Sequence, residues 1–216
     1  MKKFGLAMVI ALMSIGVLKA QSPIRWGVTA GMNISSEGSG DYKFTPGINI
    51  GGTVEYQFGK AGFLSSGLLL SQKGFANKSE YDFRIDFNNG TVIEESGKYN
   101  VKKKSYYLEL PVFVGYKFHL SEMVSLKLSA GPYVAVGLWG KLKDKNNSAN
   151  DFSLYKDGYG EDFRRFDYGL GANLSVELAK HYQIGFGCDM GLRKTEKNGY
   201  MGSRNQNMTL SFGYLF

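Results

Sequence analysis

The sequence has few of the residues that build disulfide frameworks and hydrolytic centres. Its 216 residues include one cysteine, Cys188, and two histidines, His119 and His181. A single cysteine cannot form an internal disulfide, so the fold has to be stable without that covalent link. With only two histidines, few arrangements of a Ser-His-Asp triad are open to this chain.

The amino terminus carries an apolar run that is too short for a spanning helix. The run covers residues 4–18, follows two lysines and is interrupted by glycine and serine, whereas a transmembrane helix needs about 20 apolar residues. Ala20 offers a small-residue cleavage point. We therefore predict a secretory signal peptide at residues 1–20 and one mature domain at residues 21–216. The residue directly after the cleavage point is Gln21 and not a cysteine, which disfavours a lipid-anchored lipoprotein.

Excess charge of one sign is also lacking. Removing residues 1–20 takes away three lysines and no acid, so the formal charge falls from +7 to +4, with 23 basic and 19 acidic groups. This charge is too small to predict a nucleic-acid partner. What the chain has in abundance is 29 glycines, 14 tyrosines and 15 phenylalanines, a composition that favours strands joined by turns.

Apolar and small or polar side chains alternate with period two in about eight segments. Each is close to the ten residues that a tilted strand needs to cross a bilayer. From the fourth segment onwards the large apolar residues have even numbers, and we predict that even numbers face outward. Leu68, Leu69 and Leu70 break the alternation in the third segment, whose register stays open. The segments are residues 24–34, 47–58, 63–72, 106–118, 124–138, 166–178, 182–192 and 208–216.

Short and long connections alternate strictly between these segments. In an up-and-down barrel this places every turn at one end and every loop at the other, as expected for periplasmic turns and extracellular loops. The pattern predicts an all-β fold, an up-and-down antiparallel transmembrane β-barrel of about eight strands. The short connections are 59–62, 119–123 and 179–181, and the long ones are 35–45, 73–104, 140–162 and 194–203.

The carboxyl terminus ends on an amphipathic strand with an aromatic last residue. Phe212, Tyr214 and Phe216 share one face of this strand. Such an end is what an outer-membrane barrel presents to the barrel-assembly machinery. We predict these residues as an assembly signal, with the outer membrane of a Gram-negative-type envelope as the location and its lipid as the surroundings.

Several short segments resemble the PorT-like family of small outer-membrane β-barrel proteins. The resemblance covers nearly all of the mature chain and implies the barrel fold, without a catalytic signature. It implies a structural or surface-interaction role through extracellular loops, with membership of a protein-secretion and gliding complex as the alternative. The matching segments are YLELP at 107–111, YKF at 116–118, AGPY at 130–133, DYGLGA at 167–172 and FGYLF at 212–216.

Polar residues on the inward face have to satisfy one another, because an eight-stranded barrel is just wide enough for its own side chains. A turn centred on residue 180 places Asp167 opposite Arg193, and a turn centred on residue 121 places Glu109 opposite Tyr133. We interpret both pairs as a structural polar plug that closes the lumen, and expect no conduction of solutes.

Three other functions are disfavoured. His119 and His181 fall in predicted periplasmic turns, so a hydrolase centre at the loop end would lack its histidine. The acidic residues between 144 and 162 have no EF-hand spacing, so no metal site and no cofactor are predicted. A secreted lipocalin is the distant alternative, but lipocalins place the apolar face inside.

One long connection contains its own strand pattern. Aromatic and charged residues alternate at residues 81–87, and Asn88-Asn89-Gly90 then supplies a hairpin turn. We expect strands three and four to continue beyond the membrane as a protruding hairpin. It either binds a surface or secretion-complex protein by strand addition or forms a barrel rim that shields the lumen.

Overall fold

The computed structural model describes residues 23–38, 42–86, 92–146, 151–156, 162–197 and 203–216. The predicted signal peptide lies outside these ranges. No helix in the described ranges is long and apolar enough to cross a membrane. The regular elements are all β-strands.

Of the ten strands, two are only two residues long, which leaves eight long strands. The two short ones attach to the loop-end parts of β4 and β6. The strands are β1 (Ile24–Glu37), β2 (Tyr42–Lys43), β3 (Thr45–Phe58), β4 (Gly62–Asp86), β5 (Val92–His119), β6 (Val124–Asp144), β7 (Phe152–Ser153), β8 (Phe166–Leu178), β9 (Tyr182–Lys194) and β10 (Arg204–Leu215).

The eight long strands close into one antiparallel ring. Its order is β1-β3-β4-β5-β6-β8-β9-β10, and β10 pairs with β1 from Gly27↔Leu215 to Glu37↔Asn205. Closure leaves the ring without an edge strand, so its backbone groups are paired internally, as the hydrocarbon of a membrane requires. The predicted up-and-down barrel is therefore confirmed.

The apolar face of the ring points outward. On β9, Ile184 and Phe186 are 48% and 49% exposed, whereas Gly185 and Gly187 are buried. Cys188 follows the same outward parity and is exposed. This arrangement is the reverse of a lipocalin, in which apolar side chains fill the cup. The lipocalin alternative is therefore wrong, and the prediction that even-numbered residues face outward holds along β9.

Aromatic side chains mark two levels on the outward face. Tyr116 and Phe118 lie near the turn end with ring centres 4.8 Å apart, and Tyr106 stacks on Trp139 near the loop end at 5.0 Å. Ten residues of β5 separate Tyr106 from Tyr116, a length of roughly 33 Å along the strand. At a tilt of about 40° this gives roughly 25 Å of height, which matches the apolar band of an outer-membrane barrel.

The tight turns all lie at one end of the ring. They join β3 to β4, β5 to β6 and β8 to β9. Gly59 has a φ of 64°, and Ala179 and Lys180 have φ values of 50° and 64°, the left-handed conformation that two-residue hairpin turns require. The long connections lie at the opposite end, so the predicted sorting of short and long connections is confirmed.

The register of β5 against β6 corrects the sequence prediction. Glu109 lies opposite Ala135, and Tyr133 lies opposite Pro111, so the hairpin is centred one residue later than predicted. A bulge at Tyr106/Tyr107 then shifts the pairing. Because the bulge adds one residue to β6, the alternation of inward and outward side chains shifts by one position. From Trp139 onward, the outward-facing residues of β6 therefore have odd numbers.

The third predicted segment, β4, has its register fixed by two neighbours. Leu68 lies opposite Gly52 on β3, and Leu70 lies opposite Leu108 on β5. Phe63 is buried at 2% exposure and Leu64 is 41% exposed. Odd residues of this strand therefore face the lumen near the turn end.

Several strands are longer than predicted and extend into segments that were predicted as loops. The largest continuation is that of β4 and β5, which stay paired as far as Asp86↔Val92. The predicted protruding hairpin is therefore confirmed as two paired strands. Its predicted turn at residues 88–90 lies outside the described residues.

Candidate functional site in the lumen and at the loop end

The lumen contains a group of five charged side chains near the turn end. It comprises Arg25, Glu55, Lys117, Lys127 and Glu177, which we call the floor cluster. Arg25 donates to Glu177 at 2.8 Å and also contacts Glu55. Lys117 lies 3.0 Å from Glu177 and 3.5 Å from Glu55, and Lys127 contacts both glutamates. Each carboxylate is therefore shared among three cations.

Strand register explains why these residues meet. Arg25 lies opposite Glu55 on β1 and β3, and Lys117 lies opposite Lys127 on β5 and β6. Two lysines directly opposite each other repel. Glu55 and Glu177 reach across the barrel and neutralise this pair, and both carboxylate side chains are 4% exposed. All five residues have odd numbers, which is the sequence signal that places them in the lumen.

A second polar layer lies at mid-height. Lys73 pairs with Glu109 at 2.5 Å, and its ammonium lies 4.6 Å from the centre of the Tyr133 ring. Tyr133 donates to Asp167 at 3.3 Å, and Asn205 donates to the same carboxylate at 2.8 Å. The layer joins residues from β4, β5, β6, β8 and β10.

Three of the four predicted lumen residues are buried, with other partners than predicted. Glu109, Tyr133 and Asp167 are all buried. Asp167 accepts hydrogen bonds from Tyr133 and Asn205, and Arg193 lies with its guanidinium 5.6 Å from the Phe166 ring centre. The hairpin of β8 and β9 is centred on residue 180 as predicted, with Gly169 opposite Gly191, but Asp167 bonds to residues of β6 and β10 in place of Arg193.

A third layer lies near the loop end. Lys103 pairs with Glu37 at 2.8 Å, and the Thr195 hydroxyl donates to Glu37 at 3.1 Å. The Lys103 ammonium lies 4.4 Å from the ring centre of Phe163. Burial raises the pKa of the nearby Glu196 carboxyl above its usual value, and Lys103 offsets part of this rise.

A chain segment folds inward above this layer. Tyr155 donates its hydroxyl to the Tyr107 hydroxyl at 3.0 Å, and Leu154 is 2% exposed. The Leu154 amide donates to the carbonyl of Gly140 at 3.0 Å. Arg165 donates to the carbonyl of Tyr155 at 2.7 Å. Side chains therefore occupy the loop end of the lumen as well as its floor.

Between the floor cluster and the mid-height layer lies a cavity of about 160 Å³. Its lining includes Glu55 and Lys127 from below and Glu109, Asp189 and Asn207 from above. The lining combines these polar groups with apolar side chains such as Phe63 and Phe113, and the cavity has room for a few water molecules. The cavity is bounded on both sides by charged layers.

The histidines and acidic residues considered for catalysis or metal binding lie apart from one another. His119 and His181 are at the turn end, as predicted, and His181 Nδ1 lies 2.7 Å from the Leu215 carbonyl oxygen. Asp151 accepts a hydrogen bond from the Asp144 amide at 2.9 Å. In the part of the chain that the structure describes, no group of three or more metal-ligating side chains converges.

The carboxyl-terminal residues lie at the seam that closes the ring. Phe216 donates its amide to the carbonyl of Trp26 at 2.8 Å, and its ring contacts Tyr214 edge-on at 5.3 Å. Phe212 is 55% exposed on the outward face. The last strand thus presents three aromatic side chains beside the first strand.

Comparison with solved structures finds several bacterial outer-membrane and surface proteins of low sequence identity. Ail, the attachment invasion locus protein of Yersinia pestis, is 14% identical over 89% of this chain and 98% of that chain, with a TM-score of 0.41. Neisserial surface protein A is 13% identical over 90% and 98%, with a TM-score of 0.44. OprG from Pseudomonas aeruginosa is 11% identical over 89% and 95%, with a TM-score of 0.42. No curated protein matches this sequence.

The family comparison is decisive. The model of the family described as "Outer membrane protein beta-barrel domain" matches residues 19–196, a range that contains every strand of the ring except β10. The closed ring with its apolar outer face is the structure that such a family requires. This chain therefore belongs to the outer membrane protein beta-barrel domain family.

Proposed function

We propose that this outer-membrane protein works without catalysis, by binding a partner protein through the paired ends of β4 and β5. We call this part the ribbon and define it as residues 78–86 and 92–100. Its two strands pair from Lys78↔Asn100 to Asp86↔Val92. Nine residues in each strand correspond to a length of about 30 Å.

The ribbon has no neighbouring strand within the described residues. Pairing of β2 with β4 ends at Asn77, and pairing of β6 with β5 ends at Val101. One further backbone bond, from the Lys145 amide to the Asn100 carbonyl at 2.9 Å, lies at the base of the ribbon. A two-stranded ribbon is marginally stable by itself in water, and its edges carry unpaired backbone groups. Both features favour binding by strand addition, in which a partner strand completes the sheet. The free edges of the ribbon are the observation that carries the proposal.

The filled lumen supports a binding role over a transport role. Three polar layers and the inward segment at Leu154 and Tyr155 lie along the axis of the barrel. We propose that the barrel is a scaffold and does not conduct solutes. Conductance measurements in planar bilayers should show no channels at voltages where porins conduct.

We also propose how the protein is exported and assembled. Residues 1–20 would be removed as a signal peptide, so amino-terminal sequencing of the mature protein should begin at Gln21. Phe212, Tyr214 and Phe216 would then present the last strand to the barrel-assembly machinery.

The alternative is a subunit of a protein-secretion complex, which the PorT-like resemblance implies. Mild detergent extraction distinguishes the two. A complex subunit should co-purify with periplasmic or membrane proteins in fixed stoichiometry, whereas a free-standing surface barrel should not.

Excision of the ribbon tests the proposal. Glu80 lies opposite Lys98, and Ser79 lies opposite Tyr99, so removing residues 80–98 and inserting Asn-Gly should close a tight hairpin without changing the register. We expect a folded barrel, seen as heat-modifiable mobility on electrophoresis, that no longer binds its partner or supports surface adhesion.

A shorter excision provides the matched control. Removing residues 84–94 and inserting Asn-Gly leaves Phe83 opposite Glu95 and keeps about two thirds of the ribbon, so we expect intermediate binding. Full binding after removal of residues 80–98 would show that the ribbon is not the functional part.

A further inference from the structure

Four lysines form two cross-strand pairs on the outward face of β5 and β6 beyond the bulge. Lys104 lies opposite Lys141, and Lys102 lies opposite Lys143. We call these four residues the lysine ladder. Paired strands lie about 4.8 Å apart, and successive rows on one face are roughly 6.7 Å apart. Four ammonium groups therefore share a patch about as wide as one lipid headgroup.

Like charges placed directly opposite each other destabilise a sheet. The same two strands contain an inward example, Lys117 opposite Lys127, and there Glu55 and Glu177 supply the counter-charge. The lumen thus shows how this fold stabilises a lysine pair, by surrounding it with carboxylates.

Among the described residues, no carboxylate pairs with the ladder in this way. Lys103 lies between Lys102 and Lys104 in the chain but points inward, to Glu37. In the described ranges no ion pair or hydrogen bond reaches the ammonium groups of the ladder. Counter-charge for the ladder must therefore come from outside the described chain.

The position of the ladder identifies the source. Tyr106 stacks on Trp139 at 5.0 Å, and these two residues are directly paired one row below Lys104. Stacked Tyr and Trp side chains mark the level at which a barrel passes from hydrocarbon to headgroups. The ladder thus begins one row beyond the hydrocarbon, on the side of the long connections, where it faces headgroups of the outer leaflet.

We propose that the lysine ladder is a binding site for the phosphate groups of anionic lipids in the outer leaflet. Lysine binds phosphate as a point charge, with three rotatable donors that adapt to a mobile headgroup. The bound phosphates would neutralise the lysine ladder, as Glu55 and Glu177 neutralise the pair of Lys117 and Lys127 in the lumen. They would also fix the base of the ribbon against the membrane surface.

Fluorescence transfer from Trp139 tests the site. Trp26 and Trp139 are the two tryptophans of the sequence, so Trp26→Phe leaves a single donor beside the ladder. The purified, folded barrel in zwitterionic detergent micelles is titrated with two dansyl-labelled lipids, one with a phosphomonoester headgroup and one with phosphocholine. We expect the phosphomonoester lipid to bind about tenfold more tightly, the scale expected for a few lysines at a charged surface.

Two double variants form the matched comparison. Lys104→Gln with Lys141→Gln should bring the affinities for the two lipids to within about twofold of each other. Lys60→Gln with Lys180→Gln changes two exposed lysines in the turns at the other end and should leave the preference unchanged. Lys104→Arg with Lys141→Arg keeps the charge and should also keep the preference.

Three outcomes would overturn the proposal. One is the absence of any preference for the anionic lipid in the barrel with an intact ladder, a result that does not depend on the folding of a variant. Another is a preference that survives in the folded Lys104→Gln, Lys141→Gln barrel. The third is complete displacement of the lipid by millimolar inorganic phosphate, which would make the ladder a site for free anions.

Discussion

Replacing Glu55 with glutamine should destabilise the barrel far more than removing one of its cationic partners. The floor cluster contains three cations and two carboxylates, a net charge of +1 (3 − 2). Glu55→Gln raises this net charge to +2, whereas Lys127→Met lowers it to 0. The first change leaves buried cations without compensation, and the second leaves Glu55 still paired with Arg25 and Lys117.

The expected free energies follow from this difference. Removing one partner of a buried ion pair costs about 3–5 kcal/mol, and Glu55 contacts three cations at 4% exposure of its side chain. Lys127→Met keeps an apolar stem but removes one of the three cations around each glutamate, together with the cation–π contact with Phe63, whose ring centre is 4.6 Å from the ammonium. That contact contributes about 1 kcal/mol.

Urea titration of the barrel in lipid vesicles, followed by heat-modifiable mobility, measures both changes in the free energy of unfolding. The double variant restores the net charge of +1 and should recover about 1–3 kcal/mol relative to the sum of the single changes. If Glu55→Gln costs no more than Lys127→Met, the glutamates are not the groups that hold the lysines in the lumen, and the reasoning fails.

Three further predictions concern the wall of the barrel. Gly51→Ala should cost about 1–3 kcal/mol, because its Cβ would lie 2.1 Å from a backbone oxygen, while Gly52→Ala, with its nearest neighbour at 3.9 Å, should change the free energy of unfolding by less than about 0.5 kcal/mol in the same urea titration. Phe216→Asp should lower the amount of heat-modifiable protein in the outer membrane without reducing export across the inner membrane, and normal insertion would contradict an assembly role for this residue. A water-soluble maleimide should label Cys188 slowly in intact membranes and rapidly after denaturation, since Cys188 faces outward, and fast labelling of the native barrel would contradict its contact with lipid.

The period-two pattern predicted the fold because each strand of a barrel places apolar residues outward and small or polar residues inward, and this alternation is visible in the sequence of the strand alone. Ile184 and Phe186 face outward and Gly185 faces the lumen, as their places in the alternation alone predict. The alternation of short and long connections added the up-and-down order. Asn89-Gly90 likewise predicted a hairpin from local information, and the paired strands on either side of it are present.

The contacts inside the lumen could not be predicted in the same way. Asp167 bonds to Tyr133, its diagonal neighbour on the adjacent strand β6, and to Asn205 on β10. The Asn205 contact reaches past β9, and such a partner depends on the shear of the closed barrel and not on one hairpin. The bulge at Tyr106 also has no strong sequence signal, yet it decides that Lys141 faces outward beside Lys104. The lysine ladder therefore becomes visible only once the register is known.

The most direct test of the account is a scan of β5 with single cysteines at positions 108 to 117 in a Cys188→Ser background. Each variant is labelled with bimane and folded into vesicles of brominated lipid, which quenches fluorophores in the hydrocarbon. The structure places Leu108, Leu110 and Val112 outside and Glu109 and Lys117 in the lumen. We predict quenching at even positions and protection at odd ones. Quenching at odd positions, or quenching without alternation, would contradict an outer-membrane barrel with its apolar face toward lipid.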